Sequence, residues 1–119
     1  MEHFKIYQIR LDKLERQIVN QKGHESLTKQ IRKLDMEFAD NAKIEKLAKE
    51  SWNAGDYDYV AIITAGTLQD VFEVGNMDIP REKNPHINDI DKMYSVSVGN
   101  IIEADNSKWV VGSYGFVQI

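Results

Sequence analysis

The sequence contains no cysteine, only two prolines and no long apolar run. Without cysteine the chain has no disulfides, no thiolate metal ligands and no cysteine nucleophile. The most apolar stretch, residues 59–65, is too short to cross a bilayer, and the first ten residues lack the apolar core of a secretory signal. We therefore expect a cytoplasmic protein with no membrane partner.

Histidine is also scarce. The three histidines, His3, His24 and His86, lie in different segments without the spacing of metal ligands. Neither a G-x-S-x-G nucleophile motif nor a phosphate-binding G-x-x-x-x-G-K motif is present. We expect no bound metal, no cofactor and no nucleophilic catalysis.

Charge is unevenly distributed along the chain, although the net charge is only −4. Residues 1–54 carry eleven Lys or Arg and nine Asp or Glu, whereas residues 55–119 carry four and ten. Phosphate contacts dominate nucleic-acid affinity, so nucleic-acid-binding proteins usually present a strong basic stripe. Here the acids of the first half nearly cancel its basic residues, and we expect DNA binding to be weak and salt-sensitive.

The pattern of the first half predicts one strand followed by helices. Residues 4–10 (FKIYQIR) have the aromatic and β-branched composition of a strand. Three amphipathic helices should follow, because apolar residues recur every three or four positions. Their apolar faces are Leu11, Leu14 and Ile18; Leu27, Ile31, Leu34 and Phe38; and Ile44, Leu47, Ala48 and Trp52. Ser26 is expected to cap the second helix, Asp40 or Asn41 to cap the third, and Gly55 to end it.

The second half has the pattern of a sheet. Residues 56–63 begin with alternation and end as an apolar run, which predicts a central strand. Thr67, followed by Asp70, predicts the start of a short helix that Gly75 ends. Residues 76–91 contain both prolines and are predicted to form a loop. Short strands are predicted at residues 94–98, 101–103, 109–111 and 116–119, with a hairpin turn at Asp105 and Asn106.

These elements predict a single α+β domain over residues 1–119. Its sheet should be small and mostly antiparallel, and the helical region of residues 11–54 should pack on one face of the sheet or project from it. A chain of 119 residues is long enough for one ordinary core, since a domain of this size buries roughly two thirds of the surface of its unfolded chain.

Several segments resemble the YodL-like domain family, small proteins of bacteriophages, plasmids and conjugative elements. They are FKIYQIR, DYDYVAI, TLQDVFEVGN, SVSVGNII and WVVGSYGFVQI, which match the family over about residues 3–10 and 57–119. The family usually has an acid where this chain has Asn100, and more often has Phe where it has Tyr114. Residues 11–54 are poorly covered and look like an elaboration of a shorter connection.

The resemblance implies an accessory product of a mobile element that binds and modulates a host protein, and it brings no catalytic residues with it. The carboxylates offer only a weak alternative. Asp56 and Asp58 are two apart on an extended stretch and would point to one face, where they could hold a cation or act as an acid-base pair. Solvated residues at a strand entrance are the simpler interpretation. Asp89, Asp91 and Glu82 form an acidic group in a polar loop, where acids are common.

The candidate partner-binding residues are charged and aromatic. Exposed charges of the helical region are expected at Arg16, Lys29, Arg32, Lys33 and Lys46. Trp109, Tyr114 and Phe116 cluster within eight residues and either close the core of the sheet or leave Trp109 or Tyr114 exposed as an interface anchor. Trp52 faces the same choice, with core packing favoured.

The function favoured by the sequence is non-catalytic protein binding. The chain would inhibit or modulate a bacterial host factor, for which an immune effector is one candidate, by stoichiometric binding. In this hypothesis residues 11–54 select the partner and residues 57–119 form the scaffold. A nucleic-acid-associated accessory protein that uses the lysines of the helical half is the alternative, and an enzyme with an unrecognised carboxylate site is less favoured.

Overall fold

The computed structural model describes residues 2–119. Within these residues the helices are α1 (Lys13–Lys22), α2 (Thr28–Met36), α3 (Asn41–Asn53) and α4 (Leu68–Gly75), and the strands are β1 (Glu2–Ile9), β2 (Tyr57–Ala65), β3 (Ile87–Asp89), β4 (Ile101–Ala104), β5 (Ser107–Gly112) and β6 (Gly115–Gln118). The strands form one antiparallel sheet in the order β3-β2-β1-β4-β5-β6. The predicted α+β fold with a small antiparallel sheet is confirmed.

The helical region is inserted between two strands that pair with each other. β1 and β2 are antiparallel neighbours, from Glu2 opposite Ala65 to Ile9 opposite Tyr57, and α1, α2 and α3 occupy the connection between them. α3 packs on β5 and β6, and α2 packs on α3. α1 buries only Val19 and packs mainly on a short 3₁₀ turn, His24–Ser26. The insertion therefore has a packed part, α2 and α3, and a projecting part, α1.

Each face of the sheet has its own core, because successive side chains of a strand point to opposite faces. Ile102 and Ile63 belong to the first core, which α4 covers together with residues 93–96. Ile101 belongs to the second core, which also contains Ile44 of α3 and Met36 of α2. The inserted helices thus bury the second face, and α4 with residues 93–96 buries the first.

The prediction of a strand at residues 94–98 is wrong. This segment is an irregular loop that lies on the first face, with Val96 buried there. Its backbone bonds largely to side chains: Tyr94 N–H donates to Gln8 Oε1 at 2.9 Å, and Gln8 Nε2 donates to the Tyr94 carbonyl at 2.9 Å. Since β1 already pairs with β2 and β4 on its two sides, it offers no free edge to this segment.

The predicted loop of residues 76–91 contains the edge strand β3. Ile87 lies opposite Ile63 and Asp89 lies opposite Ala61, so β3 extends the sheet beyond β2. β3 has only three residues and follows a proline, so it is too short to show an alternating pattern, and the sequence does not predict it.

Several local predictions are confirmed. Asp40 caps α3, since its side chain accepts a hydrogen bond from Lys43 N–H, and Thr67 caps α4 in the same way. Asp105 and Asn106 both have positive φ, as a tight hairpin between β4 and β5 requires. These signals are local, so they do not depend on the rest of the fold.

Two predictions for the second helix are wrong. Ser26 does not cap it, because α2 begins at Thr28 and Ser26 Oγ donates instead to the Gly23 carbonyl. Phe38 does not belong to its apolar face, because α2 ends at Met36.

None of the helices found in residues 2–119 is long and apolar enough to cross a membrane.

Candidate partner-binding surfaces

The predicted partner-binding charges do not form one free surface. The expectation that Arg32 is exposed is wrong: its side chain is 19% exposed and the Asp56 side chain only 8%. Arg32 Nη2 lies 2.8 Å from Asp56 Oδ2, and Arg32 Nε donates to both Asp56 Oδ2 and Ser51 Oγ at 3.1 Å. Arg32 therefore ties α2 to the end of α3 and the start of β2.

Lys29 is also less free than expected. Its Nζ lies 3.0 Å from Glu15 Oε1, which joins the first turn of α2 to the first turn of α1. Lys33 is half-buried and lines, together with Gly99, a small cavity of about 40 Å³. Arg16 and Lys46 are exposed, as predicted.

Arg16 and Lys29 line a larger space, which we call the charged cleft. It has a volume of about 390 Å³ and lies where the end of β1, the start of α1 and residues 91–94 meet. Arg10 crosses it and pairs with Asp58 at 3.3 Å and with Asp91 at 2.6 Å. Tyr94 forms part of its wall and is 62% exposed.

The carboxylates considered for catalysis have structural partners. Asp56 pairs with Arg32, and Asp58 pairs with Arg10, so the two acids do not form a shared site. Asp89 Oδ1 accepts a hydrogen bond from Met93 N–H at the end of β3. Across residues 2–119 no group of three or more His, Asp or Glu side chains is arranged to hold a metal ion.

The tryptophans have core environments. Trp109 is partly buried against the first core, and Trp52 is partly buried against the second. The Trp52 ring meets Tyr7 edge-on, with ring centroids 4.9 Å apart, and Lys108 Nζ lies 5.0 Å from its ring centroid. These contacts favour the core interpretation for both residues.

Two tyrosines on the second face carry raised pKa values. Burial is the main reason that the pKa of Tyr7 rises to about 12, and the hydrogen bond that its hydroxyl donates to Glu103 adds to the effect. Burial, followed by the charge of Asp56, raises the pKa of Tyr57, whose hydroxyl donates to the Gly99 carbonyl at 2.6 Å. Both phenols are protonated at neutral pH, where they act as structural hydrogen-bond donors.

Tyr114 and Phe38 are the two most exposed large apolar side chains, at 85% and 90%. The chain segments that carry them are neighbours at one end of the molecule. A Cβ built on Gly112 would be 3.3 Å from Asn41 Oδ1, so the turn between β5 and β6 lies beside the first residue of α3. Phe38 precedes Asn41 by three residues, and Tyr114 follows Gly112 by two. We call Phe38, Asn41, Gly112 and Tyr114 the aromatic end.

Phe38 was not predicted as a surface residue, although the sequence holds a signal for it. If Asp40 caps the next helix, the preceding helix must end before it, and Phe38 then falls in the connection. The chain turns there, since the Ala39 N–H bonds to the Met36 carbonyl and Ala39 is buried while Phe38 is not. Tyr94 and Lys92 of the charged cleft gave no sequence signal, because the fold alone brings them near α1.

Comparison with protein-family models, with curated proteins and with solved structures found no match for this chain.

Proposed function

We propose that this chain is a protein-binding accessory factor of a bacteriophage or other mobile element. It modulates a bacterial host protein by stoichiometric binding, and an immune effector is one candidate for that protein. The aromatic end is the main contact surface in this proposal. It combines Phe38 from the helical insertion with Tyr114 from the sheet, so partner selection is shared between the two parts of the chain.

The observation that carries the proposal is the exposure of Phe38. A phenylalanine that is 90% exposed gains nothing for folding, whereas its burial against a partner would contribute roughly 1.5–3 kcal/mol. Aromatic side chains are common anchors at the centres of protein interfaces. Tyr114, 85% exposed at the same end, adds a second anchor with a hydroxyl that can hydrogen-bond.

The family resemblance supports the mobile-element part of the proposal. Its segments fall on β1, β2, α4, the loop that precedes β4, and β4–β6, which form the scaffold, and not on the inserted helices. At Asn100, where the family usually has an acid, Oδ1 accepts hydrogen bonds from Gln8 Nε2 at 3.1 Å and from Ser97 N–H at 3.0 Å. A carboxylate accepts the same two bonds, so this departure preserves the local structure.

The proposal is tested by photo-crosslinking in the bacterium that carries the coding sequence. The photoreactive residue p-benzoylphenylalanine replaces Phe38 or Tyr114, and in a control it replaces Glu50. Glu50 is exposed on α3 about 13 Å from Asn41 along the helix axis. We expect one host protein, identified by mass spectrometry, to crosslink at both aromatic positions and not at Glu50.

The crosslinked protein is then purified and mixed with the wild-type chain. A complex of fixed stoichiometry supports the proposal. The proposal fails if no host protein crosslinks at either aromatic position, or if the same proteins crosslink equally at Glu50.

A further inference from the structure

The charged cleft has balanced formal charges, but its acids and bases are not equally engaged. Glu15 Oε1 accepts hydrogen bonds from Lys29 Nζ and from Asp12 N–H, both at 3.0 Å, and Asp12 Oδ1 accepts from Glu15 N–H at 2.7 Å. Asp58 and Asp91 are both held by Arg10. Every acid of the cleft therefore has a partner within the chain.

Two basic residues of the charged cleft have no ion-pair partner. Arg16 and Lys92 line the cleft, and neither forms an ion pair with any of residues 2–119. Lys92 has φ 49° on an exposed turn. Beside it, the backbone of Tyr94 is fixed by two hydrogen bonds to the buried side chain of Gln8. The cleft thus offers two uncompensated cations next to a held aromatic residue.

A second, smaller cavity is lined by residues next to those of the cleft. Arg10 and Lys29 of the cleft are followed by Ile9 and Lys33 around the small cavity, and Lys33 lies one helical turn beyond Lys29. From Lys29 to Met36 the axis of α2 rises about 10 Å, which an extended peptide spans in three or four residues. A segment bound in the cleft is therefore long enough to reach Phe38 if it follows α2.

We propose that the charged cleft binds an acidic peptide segment of the partner protein, with carboxylates on Arg16 and Lys92 and an apolar residue following toward Phe38. This inference rests on the proposed function, since it describes part of the partner. An acidic segment fits better than a nucleic-acid strand because its carboxylates lie on flexible side chains, which can reach the two cations and turn away from the acids around them. The phosphates of a strand are fixed in its backbone and would be held close to those acids.

The test uses a short fluorescein-labelled peptide with two adjacent Asp-Glu pairs followed by a Leu-Phe pair, and a matched peptide with Asn and Gln in place of the acids. Binding to the full chain is measured by fluorescence anisotropy at low and physiological salt. We expect the acidic peptide to bind at least about tenfold more tightly than the neutral one, with the difference shrinking as salt increases.

The variant Arg16→Glu/Lys92→Asp should weaken binding of the acidic peptide by about tenfold or more. Asp is chosen at Lys92 because it tolerates positive φ. The control variant Lys46→Glu/Lys83→Glu makes the same change in net charge at exposed positions outside the cleft and should bind like the wild type. Unchanged thermal unfolding of both variants shows that the fold is retained.

The inference is overturned if the control variant loses as much affinity as the cleft variant, if the neutral peptide binds equally well, or if labelled oligothymidylate of equal charge binds more tightly.

The proposed function and this inference can be refuted independently of each other. Cleft-dependent peptide binding without any host crosslink at Phe38 or Tyr114 would overturn only the proposed function, and host crosslinking without cleft-dependent peptide binding would overturn only this inference.

Discussion

Arg32 and Arg16 both belong to the helical insertion, yet they should respond to the same substitution in opposite ways. Arg32 is held by Asp56 and Ser51, whereas Arg16 is exposed and has no ion pair with any residue from 2 to 119. We predict that Arg32→Met destabilises the protein strongly and that Arg16→Met does not. Methionine keeps an unbranched apolar stem in place and removes the charged, hydrogen-bonding head.

The expected loss follows from the burial of Asp56. Removal of one partner from a fully buried ion pair costs about 3–5 kcal/mol, because the remaining charge is left without compensation. Arg32 retains 19% side-chain exposure, so water compensates part of the loss, and we expect about 2–3 kcal/mol for Arg32→Met. This corresponds to a fall of roughly 10 °C in the melting temperature. Arg16→Met should change stability by less than about 0.5 kcal/mol.

Urea unfolding followed by tryptophan fluorescence and circular dichroism measures both variants. The double variant Arg32→Met/Asp56→Asn serves as a further check, since it removes the uncompensated carboxylate and should lose much less than the sum of its single substitutions. The reasoning is refuted if Arg32→Met is as stable as Arg16→Met, or if the two substitutions of the pair are additive.

Three further predictions concern other parts of the fold. Because the pKa of Tyr7 is raised to about 12, folding favours its neutral form, and this contribution to stability is complete below about pH 10 and is lost as the pH rises to about 12. Unfolding curves measured at alkaline pH should show this loss of stability, and the variant Tyr7→Phe should show a smaller one. Gly75→Ala should destabilise by about 1–3 kcal/mol in thermal unfolding, because the added Cβ overlaps Val96 Cγ2, and the further change Val96→Ala should restore part of the loss. Binding to duplex DNA, measured by anisotropy, should be weak and should disappear at physiological salt, and submicromolar affinity under those conditions would contradict the account.

The elements that the sequence predicted well are those with local causes. Asp40 and Thr67 cap helices through bonds to backbone groups three residues away, and the turn at Asp105 and Asn106 needs only its own backbone angles. The helical periodicity located α1 to α4 for the same reason. Such features can be predicted without knowledge of the tertiary structure.

The features that the sequence did not predict depend on distant residues. Arg32 resembles any helical surface arginine until Asp56, 24 residues later, is placed beside it. Residues 94–98 have the composition of a strand, but Gln8 binds their backbone and the sheet has no edge free for them there. The charged cleft combines residues from four separate parts of the chain, and only the fold brings them together.

The most direct test of the central claim is a calorimetric titration of the purified host partner into the wild-type chain and into the variant Phe38→Ser/Tyr114→Ser. The account predicts saturation at a fixed stoichiometry for the wild type and an affinity loss of at least about a hundredfold for the variant, because both anchors of the aromatic end are removed. Both proteins should unfold at the same temperature, since the two side chains are exposed. An affinity that the double substitution leaves unchanged would contradict the claim that this end of the molecule binds the partner.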